Sequence, residues 1–451
     1  MRVATVEVTG LFGLFDHRVE LNQRERITIV YGPNGLGKTT LLRMLANLFD
    51  GRLLELKRTR FDSFQVTFSD GTILTAYHAP QEALNFDAED DTDLEDVDIG
   101  ALSIRLQLPG ANPIDYPVTM ASDPRQRVPF PISMIEREFP FLERSGPKLW
   151  TDLTSGEELS LVEVAERYEH EFPPLREIIR LQVPSPLSEF LESLEVHFIE
   201  TQRLLAVQRS HGAGGLAPTV PQYSSELVEI IQEYLTRSGR ISQQLDRTFP
   251  GRLLSGPSPT EEETDERGLR ARYMEQSDFR ARLMHTALLD MGEEVALPER
   301  QLEPHERVVL WTYLNDADEK LAVFAPLLDK LELLLEIINA RFLYKVMVID
   351  AGVGFNFQSS EGQTVPLRTL SSGEQHELVL AYQLLFKVNE GALVLIDEPE
   401  ISLHVTWQQR FLEDIQNVSK VADLDFMIAT HSPQIIHDRL DLAIALASPP
   451  S

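Results

Sequence analysis

The segment Gly32-Pro33-Asn34-Gly35-Leu36-Gly37-Lys38-Thr39 satisfies every fixed position of the phosphate-binding loop pattern G-x-x-x-x-G-K-[ST]. Such a loop works only between a strand and a helix, because the backbone N–H groups that meet phosphate oxygens lie at the helix start. Ile27-Thr28-Ile29-Val30-Tyr31 reads as a buried strand before it, and Thr39 to Leu48 carries leucines at helical spacing after it. In this setting the cradle runs from Gly32 to Thr40, Lys38 would reach the β- and γ-phosphates, and the Thr39 hydroxyl would ligate Mg²⁺. The loop predicts a nucleoside triphosphate site.

A second set of residues supplies what hydrolysis needs. Leu393-Val394-Leu395-Ile396-Asp397-Glu398 is an apolar strand that ends in two carboxylates, so Asp397 would hold Mg²⁺, through water, and Glu398 would polarise the attacking water as general base. Twenty-five residues before Asp397, Ser372 stands in Leu370-Ser371-Ser372-Gly373-Glu374-Gln375, where a hydroxyl and a glycine N–H meet a helix start and form an anion site. Downstream come Glu400-Ile401-Ser402-Leu403-His404 and then the strand Ile428-Ala429-Thr430, which ends at His431 and Ser432. Between the two halves, Glu195-Val196-His197-Phe198-Ile199-Glu200-Thr201-Gln202-Arg203 is a strand with a polar end.

In this order the motifs resemble those of ABC-type ATPases: P-loop, signature (Ser371, Ser372, Gly373, Glu374), Walker B, D-loop from Glu400, and switch histidine His431. The resemblance implies an α/β fold, a P-loop NTPase of ABC type with a two-lobed head and mixed sheet, plus a helical insertion forming a short arm. It implies ATP and Mg²⁺ as cofactors, Gln202 as the Q-loop residue at the metal with Gln65 as its rival, and His431 as a sensor of the γ-phosphate. It also implies that one subunit's signature closes on the nucleotide held by another, so the partner would be a second copy in a head-to-tail homodimer or higher oligomer. ATP rather than GTP rests on the resemblance alone. For the base, Phe12 and Phe15 are stacking candidates with Arg18 nearby, and packing in the core is the other role open to the two rings. Lys57, Arg58 and Arg60 follow the P-loop helix without an assignment.

Ser371 lies 333 residues after Lys38, a separation that argues against a transporter ATPase. Ile396-Asp397-Glu398-Pro399-Glu400 followed by Ser402-Leu403-His404 instead looks like the OLD, RecF and SMC-related branch, and more narrowly resembles stand-alone ATPases of bacterial anti-phage defence operons such as the Septu, PARIS and retron systems. In OLD proteins a TOPRIM nuclease domain follows the ATPase; here 20 residues follow His431, so no such nuclease domain is expected. By analogy the chain would sense or scaffold, through ATP, a separately encoded effector such as a nuclease. The alternative is a RecF/SMC-like DNA repair or clamp ATPase, with DNA as partner. Its basic candidates, Arg267, Arg270, Arg272, Arg280 and Arg282, are interleaved with Glu261 to Glu263, Asp265, Glu266, Glu275 and Asp278, which favours a salt-bridged solvated helix.

The elements that must position these residues are legible in part. Composition allows a large core, with 43% hydrophobic and 25% charged residues among 451. A formal net charge of −30 opposes non-specific attraction to nucleic acid or anionic membrane. The absence of cysteine excludes disulfides, thiolate metal sites and a cysteine nucleophile, and with no long apolar run or leader the expectation is a soluble cytoplasmic protein. Arg2 to Val8, Phe64 to Phe68 and Thr72 to Ala76 read as strands, the last two joined as a hairpin by Ser69-Asp70-Gly71. Asp87 to Asp96 is too acidic to pack and reads as a solvated loop, and 100–190 has no clear pattern. Leu227, Ile230, Ile231 and Leu235 mark one helical face, and Leu327, Leu331, Leu334, Leu335, Ile338 and Phe342 another, with a break at 255–265 around Pro257 and Pro259. The expected division is 1–205 for the N-terminal lobe with P-loop and Q-loop, 206–345 for the helical arm, and 346–451 for the C-terminal lobe. Strands are expected at Val346 to Ile349 and Phe355 to Phe357.

Overall fold

The structure is a computed structural model and describes residues 1–79, 101–118, 130–153, 157–168, 172–175, 178, 184–200, 219–255, 259–290, 292, 296–401 and 405–446. The chain divides into two compact units, Met1–Ala217 with Val388–Ser451, and Pro218–Lys387. The acidic run from Asp87, residues Pro257 and Ser258, Gln202, and Ser402 to His404 lie outside the described residues.

In the first unit the strands are β1 (Val3–Leu11), β2 (Phe15–Glu20), β3 (Ile27–Tyr31), β4 (Ser63–Phe68), β5 (Ile73–Ala79), β6 (Ala101–Gln107), β7 (Ile114–Pro117), β8 (Leu142–Gly146), β9 (Leu149–Asp152), β10 (Glu158–Ser160) and β11 (Val196–Glu200). The second unit adds β12 (Lys345–Asp350), β13 (Gly354–Ser359) and β14 (Thr364–Val365), and the chain returns to the first with β15 (Leu393–Asp397), β16 (Asp425–Thr430) and β17 (Ala443–Ala445).

Five strands form a parallel sheet in the order β11-β15-β16-β3-β17. The three central strands β15, β16 and β3 are largely continuous apolar runs rather than alternations, as strands covered on both faces require: four of the five residues in β3 and in β15, and five of six in β16, are buried. Register sets the chemistry. Glu200 pairs with Asp397, Asp397 with Ala429, Thr430 with Tyr31, and Tyr31 with Ala445, so all five strands end along one edge. Ligands in open parallel sheets bind beyond the strands' carboxyl ends, which is where this edge lies.

An antiparallel sheet in the order β2-β1-β4-β5-β6-β7 contains the hairpin expected between Phe64 and Ala76, with Val66 opposite Leu74. Strand β4 alternates between half-buried and buried positions, so Phe64, Val66 and Phe68 enter the core while Ser63, Gln65 and Thr67 face away. That core is shared by the helix Lys38–Phe49, which buries Leu41, Leu42 and Leu45, and by Leu393 and Leu395 of β15. Within 130–178, where the sequence has no clear pattern, β8, β9 and β10 pair antiparallel around a separate core centred on fully buried Trp150. The short strands, of three to five residues, are the reason no period emerges there.

In the second unit the helix Thr219–Ser255 is followed by Glu266–His285, Pro304–Ala322 and Ala325–Asn339. Leu227 and Ile231 are fully buried, as are Leu331, Leu334 and Ile338 from the second expected face. Asp265 caps the helix after the break, its side chain accepting from the Gly268 N–H. Three of the five candidate arginines of this stretch are paired with carboxylates: Arg270 with Glu266 at 2.9 Å, Arg272 with Asp318, and Arg282 with Glu332 at 2.6 Å. Residues 346–387, read on sequence with the ATPase half, pack here with the helices. Ser224 in the long helix donates to the carbonyls of Val353 and Phe355, both at 2.9 Å, and Phe342 stacks on Phe357. Among the described residues no helix is long and apolar enough to cross a membrane.

Candidate nucleotide site

The P-loop leaves the end of β3 and enters the helix Lys38–Phe49, the strand-to-helix setting the pattern needs. Gly37 occupies the helix N-cap at φ 82°, and an added Cβ would stand 2.7 Å from Leu11 Cδ2. Only glycine fits that conformation without strain. The first turn carries no acidic residue and no side-chain cap, so its N–H groups are left for an anion. Lys38 is buried, and its Nζ donates to the carbonyls of Gly32 at 2.8 Å and Pro33 at 3.0 Å, which holds the amine over the loop.

Thr39 and Asp397 come together from opposite ends of the chain, the Thr39 hydroxyl donating to Asp397 Oδ1 at 3.0 Å. A hydroxyl and a carboxylate oxygen in that contact are the hard oxygen donors Mg²⁺ takes beside a nucleotide, so the residues present fit the group. The next residue, Glu398, has φ 48°, a left-handed conformation uncommon outside glycine. It is held by its own N–H to the Ala429 carbonyl at 2.8 Å and by its carbonyl accepting from Ile401 N–H at 3.1 Å. Such strain persists where the surroundings fix it. His431 follows β16, with Nδ1 3.6 Å from Glu398 Oε1 and 3.3 Å from Glu400 Oε1.

Two residues beside these have no individual role in the sequence reading: His17, which falls in no motif, and Glu400, which opens the D-loop-like segment. His17 lies on the inward side of β2, and its buried ring contacts the Leu36 carbonyl of the P-loop through Nε2 at 2.7 Å while stacking on Phe15. The alternation of β2, with His17 and Val19 buried between exposed neighbours, is the signal that could have found it. Glu400, at 8% side-chain exposure, accepts from the Thr430 hydroxyl at 2.8 Å and from the His431 N–H at 3.1 Å, both through Oε1.

The remaining candidates fall at known places. Phe12 is exposed at the turn between β1 and β2 beside Gly37, Phe15 packs against the core, and Arg18 is paired with Glu7 at 2.6 Å and Glu20 at 3.0 Å. Gln65 sits within β4, its amide donating to Thr67 Oγ1 at 3.4 Å. Ser371, Ser372, Gly373 and Glu374 belong to the second unit and start the helix Ser372–Tyr382. There Ser371 and Glu374 form a reciprocal capping box, and Lys345 Nζ lies 2.8 Å from both Glu374 oxygens. Burial would raise the Glu374 carboxyl, but the hydrogen bonds from Lys345 and Ser371 outweigh it and hold the group below its ordinary range.

With this geometry in view, residues 221–437 match the family described as "AAA domain, putative AbiEii toxin, Type IV TA system". The chain is 29% identical over 105 residues to "Retron Vc95 probable ATPase" of Vibrio cholerae serotype O1 biovar El Tor, covering 21% of this chain and 20% of that protein. It resembles the ATPases of bacterial defence systems. A further relative, "Septu protein PtuA" of Bacillus thuringiensis, is 30% identical over 94 residues, which is 20% of this chain and 23% of the relative. The matches thus span about a fifth of the relatives' own lengths. Among solved structures, the Smc head domain of Pyrococcus furiosus with an extended coiled coil, bound to the C-terminal domain of ScpA, aligns at 11% identity. That alignment covers 99% of this chain and 94% of that one, at a TM-score of 0.34. Among the described residues the chain has a mixed α/β architecture of parallel and antiparallel sheets and helices.

Proposed function

We propose that the chain is a Mg²⁺-dependent ATPase that acts as a nucleotide-controlled sensor or scaffold for a separately encoded effector, such as a nuclease, in defence against phage. The observation that carries it is the meeting of Thr39 with Asp397 at the sheet edge, with Glu398 and His431 beside them. The backbone from Gly32 to Thr40 holds the phosphates, Lys38 neutralises the β- and γ-oxygens, and Thr39 and Asp397 hold Mg²⁺. When bound, Mg²⁺ supplies charge neutralisation for phosphoryl transfer. Glu398 takes the proton of the attacking water, and His431 contacts the γ-phosphate. Gln202, two residues beyond β11, is assigned to the metal from the resemblance.

Because the P-loop already cradles its own nucleotide, the signature from Ser371 to Glu374 is assigned to the nucleotide of a second copy. That makes the working form a head-to-tail homodimer or larger. The similarity to retron and Septu proteins supports the defence setting. Pairing of Arg270, Arg272 and Arg282 with carboxylates weighs against a DNA-facing arm, because a guanidinium already paired with a carboxylate brings little net charge to neutralise a phosphate and displace the DNA's counterions.

Two variants test the site. Lys38→Ala is expected to abolish nucleotide binding, whereas Glu398→Gln keeps binding and lowers turnover by about 10²- to 10⁴-fold, the range of general base catalysis. Equilibrium binding of a fluorescent ATP analogue and phosphate release measure the two effects. Wild-type turnover by Glu398→Gln would remove Glu398 from its role. Co-purification with the product of the adjacent gene, with and without Mg-ATP, tests the effector.

A further inference from the structure

We propose that Glu400 is a positioning residue that sets the orientation and the proton-bearing nitrogen of His431, and so couples the segment after Glu398 to the sensing of the γ-phosphate. The inference deepens the reading of the site and rests on it. One carboxylate oxygen, Glu400 Oε1, gathers three groups from the end of β16: the Thr430 hydroxyl at 2.8 Å, the His431 N–H at 3.1 Å and His431 Nδ1 at 3.3 Å. The first two fix the backbone from which the ring projects. The third, together with Glu398 Oε1 at 3.6 Å from the same nitrogen, sets acceptor-only groups beside Nδ1, which favours the hydrogen on Nδ1 and leaves Nε2 as the acceptor nitrogen.

The surroundings close the arrangement. The Glu400 carbonyl accepts from Gln408 Nε2 at 3.0 Å, and the Ser432 hydroxyl approaches Gln408 Oε1 at 3.4 Å, while Ser432 N–H donates to Thr430 Oγ1 at 2.9 Å. A ring of polar contacts thus joins Glu400, Gln408, Ser432 and Thr430 on either side of His431. Among the described residues, Glu400 Oε2 is buried with no hydrogen-bond partner. A buried carboxylate with one oxygen unsatisfied is a costly way to cap a strand end, and a neutral amide could satisfy the two backbone-side donors. What the imidazole adds is the demand for an acceptor oxygen at Oε1, which the carboxylate supplies and an amide oxygen could also supply.

The test compares Glu400→Ala, Glu400→Gln and His431→Ala in the full chain. Glu400→Ala is expected to lower turnover about 10- to 100-fold, the usual cost of losing the group that orients a functional histidine, with affinity for a fluorescent ATP analogue unchanged. Glu400→Gln keeps Oε1 as an acceptor and is expected to recover turnover to within about threefold of wild type. Independently of activity, ¹⁵N-histidine spectra of the nucleotide-free protein should show the His431 hydrogen on Nδ1 in wild type and Glu400→Gln, and not in Glu400→Ala. Wild-type turnover by Glu400→Ala, a Gln variant no better than Ala, or a His431 proton position indifferent to Glu400 would each overturn the proposal. Should His431→Ala hydrolyse ATP at the wild-type rate, the site reading itself falls, recognisable because the proton position would still follow Glu400.

Discussion

At the scale of single residues, the site combines groups the sequence names with groups it hides. Lys38, Thr39, Asp397 and Glu398 stand out in the sequence because the phosphate and Mg²⁺ chemistry proposed for them would demand those types at fixed spacing after apolar strands. His17 carries no motif: the alternation of β2 could have placed it inward, but only the fold brings its ring to the Leu36 carbonyl. We expect His17→Phe, which keeps the aromatic volume but removes the polar contact, to lower stability by about 1 kcal/mol and to weaken nucleotide affinity. Thermal unfolding and nucleotide titration check the two effects, and unchanged affinity would separate the ring from P-loop support. At Gly37, alanine would place its Cβ against Leu11 in a left-handed backbone, so Gly37→Ala should destabilise by about 1–3 kcal/mol and lose binding.

At the scale of elements, the strands that end at the chemistry were readable as apolar runs, since burial on both faces leaves no room for polar alternation. The small sheet around Trp150 was not, because strands of a few residues carry too short a period and their apolar positions serve a core of their own. The start of the helix Ser372–Tyr382 adds a pH-dependent term. Glu374 is held below its ordinary carboxyl range, so it stabilises the helix start fully above the unfolded value of 4.5, and that contribution is lost as pH falls through the depressed folded value. The stability difference between wild type and Glu374→Gln should accordingly shrink on acidification below about pH 4.5. Denaturant unfolding at a series of pH values measures it, and a difference independent of pH would mean that Lys345 and Ser371 contribute nothing through the charge.

At the scale of the whole molecule, the order of motifs was legible and the grouping of residues into units was not. Residues 346–387 read as part of the ATPase half because they hold the signature, yet Ser224 and Phe342 draw β13 into the unit built on the long helices. Contacts 131 residues apart in sequence leave no local trace. Leu331, fully buried in that unit, should cost about 2–5 kcal/mol when replaced by alanine, read from unfolding midpoints. Because the proposed P-loop would cradle its own nucleotide, nucleotide-driven association of two copies is the central claim of the proposed function. Its most direct test is size-exclusion chromatography with light scattering on Glu398→Gln, with and without Mg-ATP. An ATP-dependent dimer or larger assembly, abolished by Lys38→Ala, is the predicted result; a mass indifferent to Mg-ATP in a protein that binds it would contradict the account.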